Sequence, residues 1–352
     1  MYQKIPLRPY PTGWYVLSAS NKLNSGDIIT RKFCGKEIIV FRTQQGKACV
    51  SDAYCPHMGA HFAHGGMVEG ETIKCPFHHF CFDTEGNCTA TGYGTKPSPK
   101  MKLKIWHTRE KNGFILCWFD EKGNEPNWEV PDIDNDGFSE ILTTDEIMKS
   151  HPQETTENSV DIGHFSIVHG YSNVDILKPL FAEGPYLTSR YTMDRKADFM
   201  LSHKMIRTEF DVRVWGLGYS FVEVDMPQIG LKSRQYVFPS PTDNGRINLK
   251  LGMSIKIVDA NKLFPLLSIL PTDLLTKLIL PKAFKGYCHD VRQDFEVWEN
   301  KIYIDPPVLA KGDGPVAQYR MWCHQFYPDD LLKTDNSTAA PNTSQSELTT
   351  AA

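Results

Sequence analysis

Between Tyr54 and Phe80 the chain runs YCPHMGAHFAHGGMVEGETIKCPFHHF, which sets a Cys-x-His pair, Cys55 and His57, ahead of a Cys-x-x-His pair, Cys75 and His78. No other feature constrains the fold as strongly, because two short loops must meet so that four donors can share one inorganic centre. Two thiolates and two imidazoles in this order suit a 2Fe–2S cluster in which sulfur holds one iron and nitrogen the other, an arrangement that raises the reduction potential. Structural zinc uses the same donor types, but zinc fingers usually pair Cys with Cys and His with His, whereas each half-site here supplies one of each. His61, His64 and His79 fall off the half-sites and read as cover, rim or supporting residues.

The rest of the chain bounds the possibilities. At 352 residues and 41% hydrophobic it can bury two cores, so two domains are expected. A formal charge of -4 without a long basic run makes no electrostatic case for nucleic acid. Its nine cysteines are odd in number and scattered, unlike a disulfide framework, and the amino terminus lacks a charged segment leading into an apolar run. The expected location is therefore a reducing cytoplasm, with association to a membrane surface left open. The most apolar stretch, Leu263 to Leu280, is interrupted by Pro265, Pro271, Asp273 and Lys277 and makes a poor membrane span.

From Trp14 to Asp120 short apolar runs such as WYVL, EIIVF and FILCWF alternate with turn residues, which predicts an antiparallel β domain over 1–120 with the metal loops at hairpin ends. Asp120 to Gly137 is polar and turn-rich and reads as a linker, placed at 121–140. Thr143 and Glu146 have capping-box spacing, so a helix is expected to begin there. Residues 186–257 return to alternating, strand-like segments, and helices are expected around Thr272 to Leu280 and Tyr287 to Lys301. The second domain, 141–332, is thus predicted to be α+β, an antiparallel sheet covered by helices, and the Ser/Thr/Ala/Asn-rich tail 333–352 to be disordered.

The segment ETTENSVDIGHFSIVHGYS holds Asp161, His164 and His169. Two imidazoles plus a distant carboxylate form the facial triad of non-haem Fe(II) oxygenases. Positions i and i+5 on a regular helix point about 140° apart, so the two histidines can share an iron only if the helix bulges or ends between them. No G-x-G-x-x-G segment is present, and Trp215 to Tyr219 (WGLGY) does not complete one, so the chain is not expected to bind its own flavin or NAD.

The Cys55/His57 and Cys75/His78 motif resembles that of the Rieske family. The positions that carry a disulfide in respiratory-type members look like Ala60 and Phe77 here, a likeness to the lower-potential clusters of ring-hydroxylating oxygenases and their ferredoxins. Glu157, Asn158, Asp161, His164, Phe165 and His169 resemble the catalytic motif of Rieske oxygenase α subunits, apart from Glu157, where aromatic-ring dioxygenases often carry Asn. The resemblance implies a helix-grip catalytic domain, His164 and His169 as ligands of a mononuclear iron, and Asp161 as the link to a cluster histidine across a head-to-tail homotrimer. It places the third ligand in QDFEVWENKIYIDPP, at Asp294, with Asp290 and Glu296 as competitors.

The carboxy-terminal region resembles 3-ketosteroid 9α-hydroxylase oxygenases and the cholesterol 7-desaturase group. That implies hydroxylation or desaturation of a sterol or steroid, with O2 and electrons from a separate NAD(P)H-dependent reductase, with or without a ferredoxin. An aromatic or other small hydrophobic substrate is the alternative, and a pure electron carrier or zinc-stabilised binding module the more distant ones. The Leu263–Leu280 stretch is read either as a lipophilic entry cover or as core.

Overall fold

A computed structural model describes residues 6–196, 205–263 and 269–328. The first half contains the strands β1 (Gly13–Ala19), β2 (Ile28–Phe33), β3 (Lys36–Arg42), β4 (Ala48–Asp52), β5 (Met67–Glu69), β6 (Thr72–Lys74), β7 (Cys81–Phe82), β8 (Cys88–Ala90), β9 (Ile105–Trp106), β10 (Thr108–Lys111) and β11 (Phe114–Phe119). They build three antiparallel sheets, ordered β1-β11-β10, β2-β3-β4-β9 and β5-β6-β7-β8. In β3 the unbroken apolar run serves two cores at once. Ile38 and Val40 join Tyr15, Phe33 and Val50 on one face, while Ile39 and Phe41 join Phe62, Ile73 and Phe82 on the other, as the two-residue period of a strand requires. The second of these cores underlies both metal-binding loops, β4 to β5 and β6 to β7.

The second half comprises β12 (Leu142–Met148), α1 (Pro152–Glu157), α2 (Gly163–Ile167), β13 (Ser172–Glu183), β14 (Tyr186–Lys196), β15 (Met205–Trp215), β16 (Tyr219–Met226), β17 (Leu231–Pro241), β18 (Ile247–Ile257), α3 (Ala260–Leu263), α4 (Thr272–Arg292), α5 (Phe295–Asn300) and α6 (Val316–Cys323). The strands form one seven-stranded antiparallel sheet ordered β12-β18-β17-β16-β15-β14-β13. One face packs against α4. The other turns Tyr219, Phe221, Tyr236 and Phe238 onto Trp14, Phe114 and Trp118 of the first half. Trp128 and Val130, from the stretch read as linker, pack into the same cluster, so that segment is a strap laid over a shared apolar core.

One expectation is overturned. Thr143 to Glu146 does not start a helix but lies within β12, paired residue for residue with β18 from Leu142↔Met253 to Met148↔Ile247. Long-range ladder hydrogen bonds outweigh a local capping preference worth about 1 kcal/mol. The edge is charged, with Asp145 near Lys250 and Glu146 paired to Arg292, which blunts further pairing. The tail 333–352, and residues 264–268 of the proposed entry cover, lie outside the described residues. No helix among the described residues is long and apolar enough to cross a membrane.

The helix that leads to the second metal motif begins at His151, whose Nδ1 accepts the Gln153 N–H at 3.1 Å while its Nε2 donates to the Arg8 carbonyl at 2.8 Å. Both nitrogens are committed to the neutral ring. Burial pushes its pKa down to about 4, so the stability it confers is present above the unfolded value near 6.5 and is lost as pH falls toward 4. We expect about 1.3 kcal/mol of unfolding free energy to disappear from this group between pH 7.5 and 5.5. Denaturant titrations of wild type and His151→Asn at both pH values check this, since the variant should lack that part of the loss.

Candidate metal centres

The two loops bring Cys55, His57, Cys75 and His78 together, but not around one point. The His57 and His78 rings lie 4.8 Å apart between centroids, and Cys55 and Cys75 are both buried and interact with each other. Among the described residues, the one group of three or more donors that converges on a single point is elsewhere, at His164, His169 and Asp294. A tetrahedral zinc site would draw all four loop donors to one centre. Two thiols paired with each other and two imidazoles paired with each other instead match a two-iron cluster.

The unsatisfied atoms agree with this reading. His57 Nδ1 and His78 Nδ1 are both buried with no hydrogen-bond partner, a costly state unless something else coordinates them. The loops are held from behind by Gly59 N–H to Cys55 O (2.9 Å), His79 N–H to Cys75 O (3.2 Å) and Gly92 N–H to His78 O (3.1 Å). Gly92 is required there, because a Cβ would lie 2.4 Å from the His78 carbonyl oxygen. Phe80 stacks on the His57 ring at 4.3 Å and Phe77 leans on His78 at 3.7 Å. The Ala60 main-chain carbonyl accepts from Cys55 N–H at 2.8 Å. His61 and His64 pack against each other, and His61 Nδ1 accepts from Ala63 N–H at 3.1 Å, both off the four donors. His79 is exposed, with φ at 54°.

At the second centre the helix problem is solved by termination. α2 ends at Ile167, so His169 lies beyond it and swings back until its ring centroid is 5.2 Å from that of His164. The donors of His164, His169 and Asp294 all lie within 4.8 Å of one another, and His169 Nε2 is 3.6 Å from Asp294 Oδ2. Each imidazole has its outer nitrogen occupied. His164 Nδ1 bonds the Asp161 carbonyl, and His169 Nδ1 bonds Gln293 Oε1 at 2.9 Å. Each Nδ1 thus carries the proton and leaves the Nε2 lone pair facing the shared point, the usual way a supporting contact orients a metal ligand. Burial drives the His164 pKa down to about 4, which keeps the ring neutral, and raises that of Asp294 to about 6 against the opposing pull of His169 and Asn158.

Asp294 occupies the break between α4 and α5, as the residue before Phe295, with no side-chain cap hydrogen bond. The long helix anticipated over Tyr287 to Lys301 is interrupted there, and the interruption aims the carboxylate at the histidines. Asp290 is spent elsewhere, accepting from Tyr171 Oη at 3.1 Å and Arg195 at 3.2 Å. Glu296 is exposed on α5. Asp161 Oδ1 accepts from the His164 main-chain N–H at 3.2 Å, so its link to His164 runs through backbone atoms. Its second carboxylate oxygen takes no partner among the described residues, and burial raises its pKa.

Sequence reasoning missed Gln293, which is adjacent to Asp294 and whose only local signal is that adjacency. It also missed the partner of Glu157, the buried Arg320, which meets both carboxylate oxygens at 2.7 and 3.0 Å. A cavity of about 820 Å³, counting its open mouth, adjoins the three donors and is lined mainly by apolar groups including Phe165, Phe210, Val212, Val222 and Trp298.

Residues 13–102 match the Rieske [2Fe-2S] domain, and residues 117–327 match the 3-ketosteroid 9alpha-hydroxylase C-terminal domain. Together with the fold, the first match defines an iron–sulfur oxidoreductase that carries a Rieske cluster. The chain belongs to the Rieske oxygenases whose catalytic half is of the 3-ketosteroid 9α-hydroxylase type. It is 30% identical to a cholesterol 7-desaturase of Ciona intestinalis over 340 residues, 91% of this chain and 69% of that protein. It is 29% identical to the oxygenase component of a 3-ketosteroid-9-alpha-monooxygenase of Rhodococcus rhodochrous over 341 residues, 94% of this chain and 84% of that one. Among solved structures, NdmA of Pseudomonas putida CBB5 with caffeine shares the fold at a TM-score of 0.67 and 18% identity, covering 88% of this chain and 89% of that one. Dicamba monooxygenase does so at 0.63 and 16%, covering 90% and 97%.

Proposed function

We propose that the protein uses O2 and electrons from a separate NAD(P)H-dependent reductase, with or without a ferredoxin, to hydroxylate or desaturate a sterol or steroid. The observation that carries this reading is the apolar cavity built directly against His164, His169 and Asp294. The relatives named for cholesterol and 3-ketosteroids give its direction. Neutral imidazole and carboxylate donors with open positions fit ferrous iron, and such an ion would supply the site of oxygen reduction while the cluster supplies electrons.

The chain's own residues hold and shield that chemistry. His164 and His169 are oriented by their Nδ1–H bonds, and Asp294 contributes the charge. Phe165, Phe210, Val212 and Val222 keep the reacting face dry and bind carbon skeleton by area rather than by polar contact. Tyr54, Met58, Phe77 and Tyr93 leave apolar surface exposed around the cluster loops, a suitable seat for another copy of the chain. In a head-to-tail homotrimer the open oxygen of Asp161 would meet a cluster histidine of the neighbouring copy and join the two centres.

The function is tested by incubating the reduced, iron-loaded enzyme under oxygen with sterols, 3-ketosteroids and aromatic acids, and identifying products by mass spectrometry. Oxidation of aromatic acids alone would refute the steroid reading. Asp161→Asn should retain cluster and iron yet lose about 100-fold in turnover, the upper range for loss of a supporting contact. Single-turnover reoxidation of the prereduced cluster at the wild-type rate would rule the link out.

A further inference from the structure

The inner face of β17 carries Ser233, Gln235 and Val237, alternate residues of one strand. Val237 faces the main cavity. Ser233 faces a second, smaller chamber, and Gln235 and Tyr287 line both. None of the three metal donors lines this chamber, so it lies past Gln235, away from the reacting end. Its walls are otherwise largely apolar, with Val224, Met226, Met253 and Ile255 among them.

Two polar groups in this setting bond no described residue. Ser233 is 0% exposed, and its Oγ has no hydrogen-bond partner. Gln235 is 7% exposed, and its carboxamide bonds no described residue, although it sits between Val222 and Met253 in the middle of the sheet. The other polar side chains nearby are already committed. Tyr287 donates to the Tyr236 carbonyl at 2.8 Å, and Arg195 pairs with Asp290 at 3.2 Å while covering the Tyr171 ring. A fully buried hydroxyl is expensive to leave unpaired, and two residues on along the same face Gln235 adds an amide open to both chambers. Neither residue orients a metal donor.

We propose that Gln235 and Ser233 form a distal polar subsite that hydrogen-bonds a hydroxyl or carbonyl oxygen at the far end of an otherwise apolar substrate. The amide can donate to either oxygen and can also accept from a hydroxyl, while the serine hydroxyl adds a second donor or acceptor. Such a pair sets which end of a long carbon skeleton enters first, and therefore which carbon reaches the metal. The proposal rests on the lipophilic-substrate reading above.

The test is equilibrium binding to the loaded enzyme, read from quenching of tryptophan fluorescence, with Trp298 on the cavity wall. The probes are 5α-cholestane, its 3β-alcohol and its 3-ketone, and the same series on the androstane skeleton. Wild type should bind the oxygenated members of at least one series about tenfold or more tightly than the hydrocarbon, and Gln235→Met and Ser233→Ala should each erase most of that gap without weakening hydrocarbon binding. Gln235→Met nearly conserves volume, and an unchanged cluster spectrum with a melting temperature no lower than that of wild type shows that each variant is folded. Equal binding of all members by wild type, or an unaltered gap in both variants as expected if only water fills the chamber, overturns the subsite and leaves the steroid reading standing. Failure of wild type to bind any probe overturns that reading and the subsite with it.

Discussion

Asp294→Ala is expected to leave the Rieske cluster spectrum intact while the protein purifies without its second iron and loses at least about 100-fold in turnover, more than a merely supporting contact would cost. The carboxylate is buried, sits in the break between α4 and α5, and reaches within 3.6 Å of His169 Nε2. Two imidazoles alone do not complete a facial triad. Asp290→Ala is the matched control, because Asp290 already accepts from Tyr171 and Arg195. Iron content per chain, together with the cluster's EPR signal, decides the matter. Iron retained in Asp294→Ala and lost in Asp290→Ala would reverse the assignment.

Arg320→Leu is expected to destabilise the protein by about 3–5 kcal/mol, because it strands a buried carboxylate. Glu157 and Arg320 form a two-point pair with both side chains only 9% exposed, and the guanidinium also donates to the Ile304 carbonyl and stacks on Tyr303 at 4.4 Å. Lys301 adds partial neutralisation, 2.9 Å from Glu154 and 3.7 Å from Glu157. This cluster ties α1 to α6. Asn158, the next residue in the chain, accepts from Trp298 Nε1 at 3.3 Å beside the metal donors. The melting temperature should drop by roughly 10 °C. Adding Glu157→Leu to Arg320→Leu should recover part of the loss, since the cost lies in the unpaired charge rather than in the missing pair. If the single variant melts within about 1 °C of wild type, the pair contributes no net stability.

Much of the architecture could be read before any coordinates. The short apolar run EIIVF reads as one strand of an antiparallel β domain and lies in β3, and β14 to β18 fall within the segments whose alternation predicted a sheet. The helix anticipated at Thr143 became β12 because its stability comes from β18, more than 100 residues away. A four-residue window carries the capping signal but not its competitor.

The sequence by itself determined the chemistry that depends on short spacing. Cys55 and His57, Cys75 and His78, and His164 and His169 lie within a few residues of each other, so local chain geometry limits where their donors can go. Asp294 was within reach as the proposed third donor because the family resemblance pointed to its segment and only a few carboxylates occupy it. What tertiary structure alone decided are the pairings that span the chain. Gln293 lies 124 residues from His169, Arg320 lies 163 residues from Glu157, and the chamber facing Ser233 and Gln235 is closed by Ala283 and Tyr287 of α4. A glutamine, an arginine or a serine carries no local mark of its partner. Only packing, which removes water from one side of the residue and not the other, establishes whether its polar group is a solvated surface, a buried pair or an open hydrogen-bonding site.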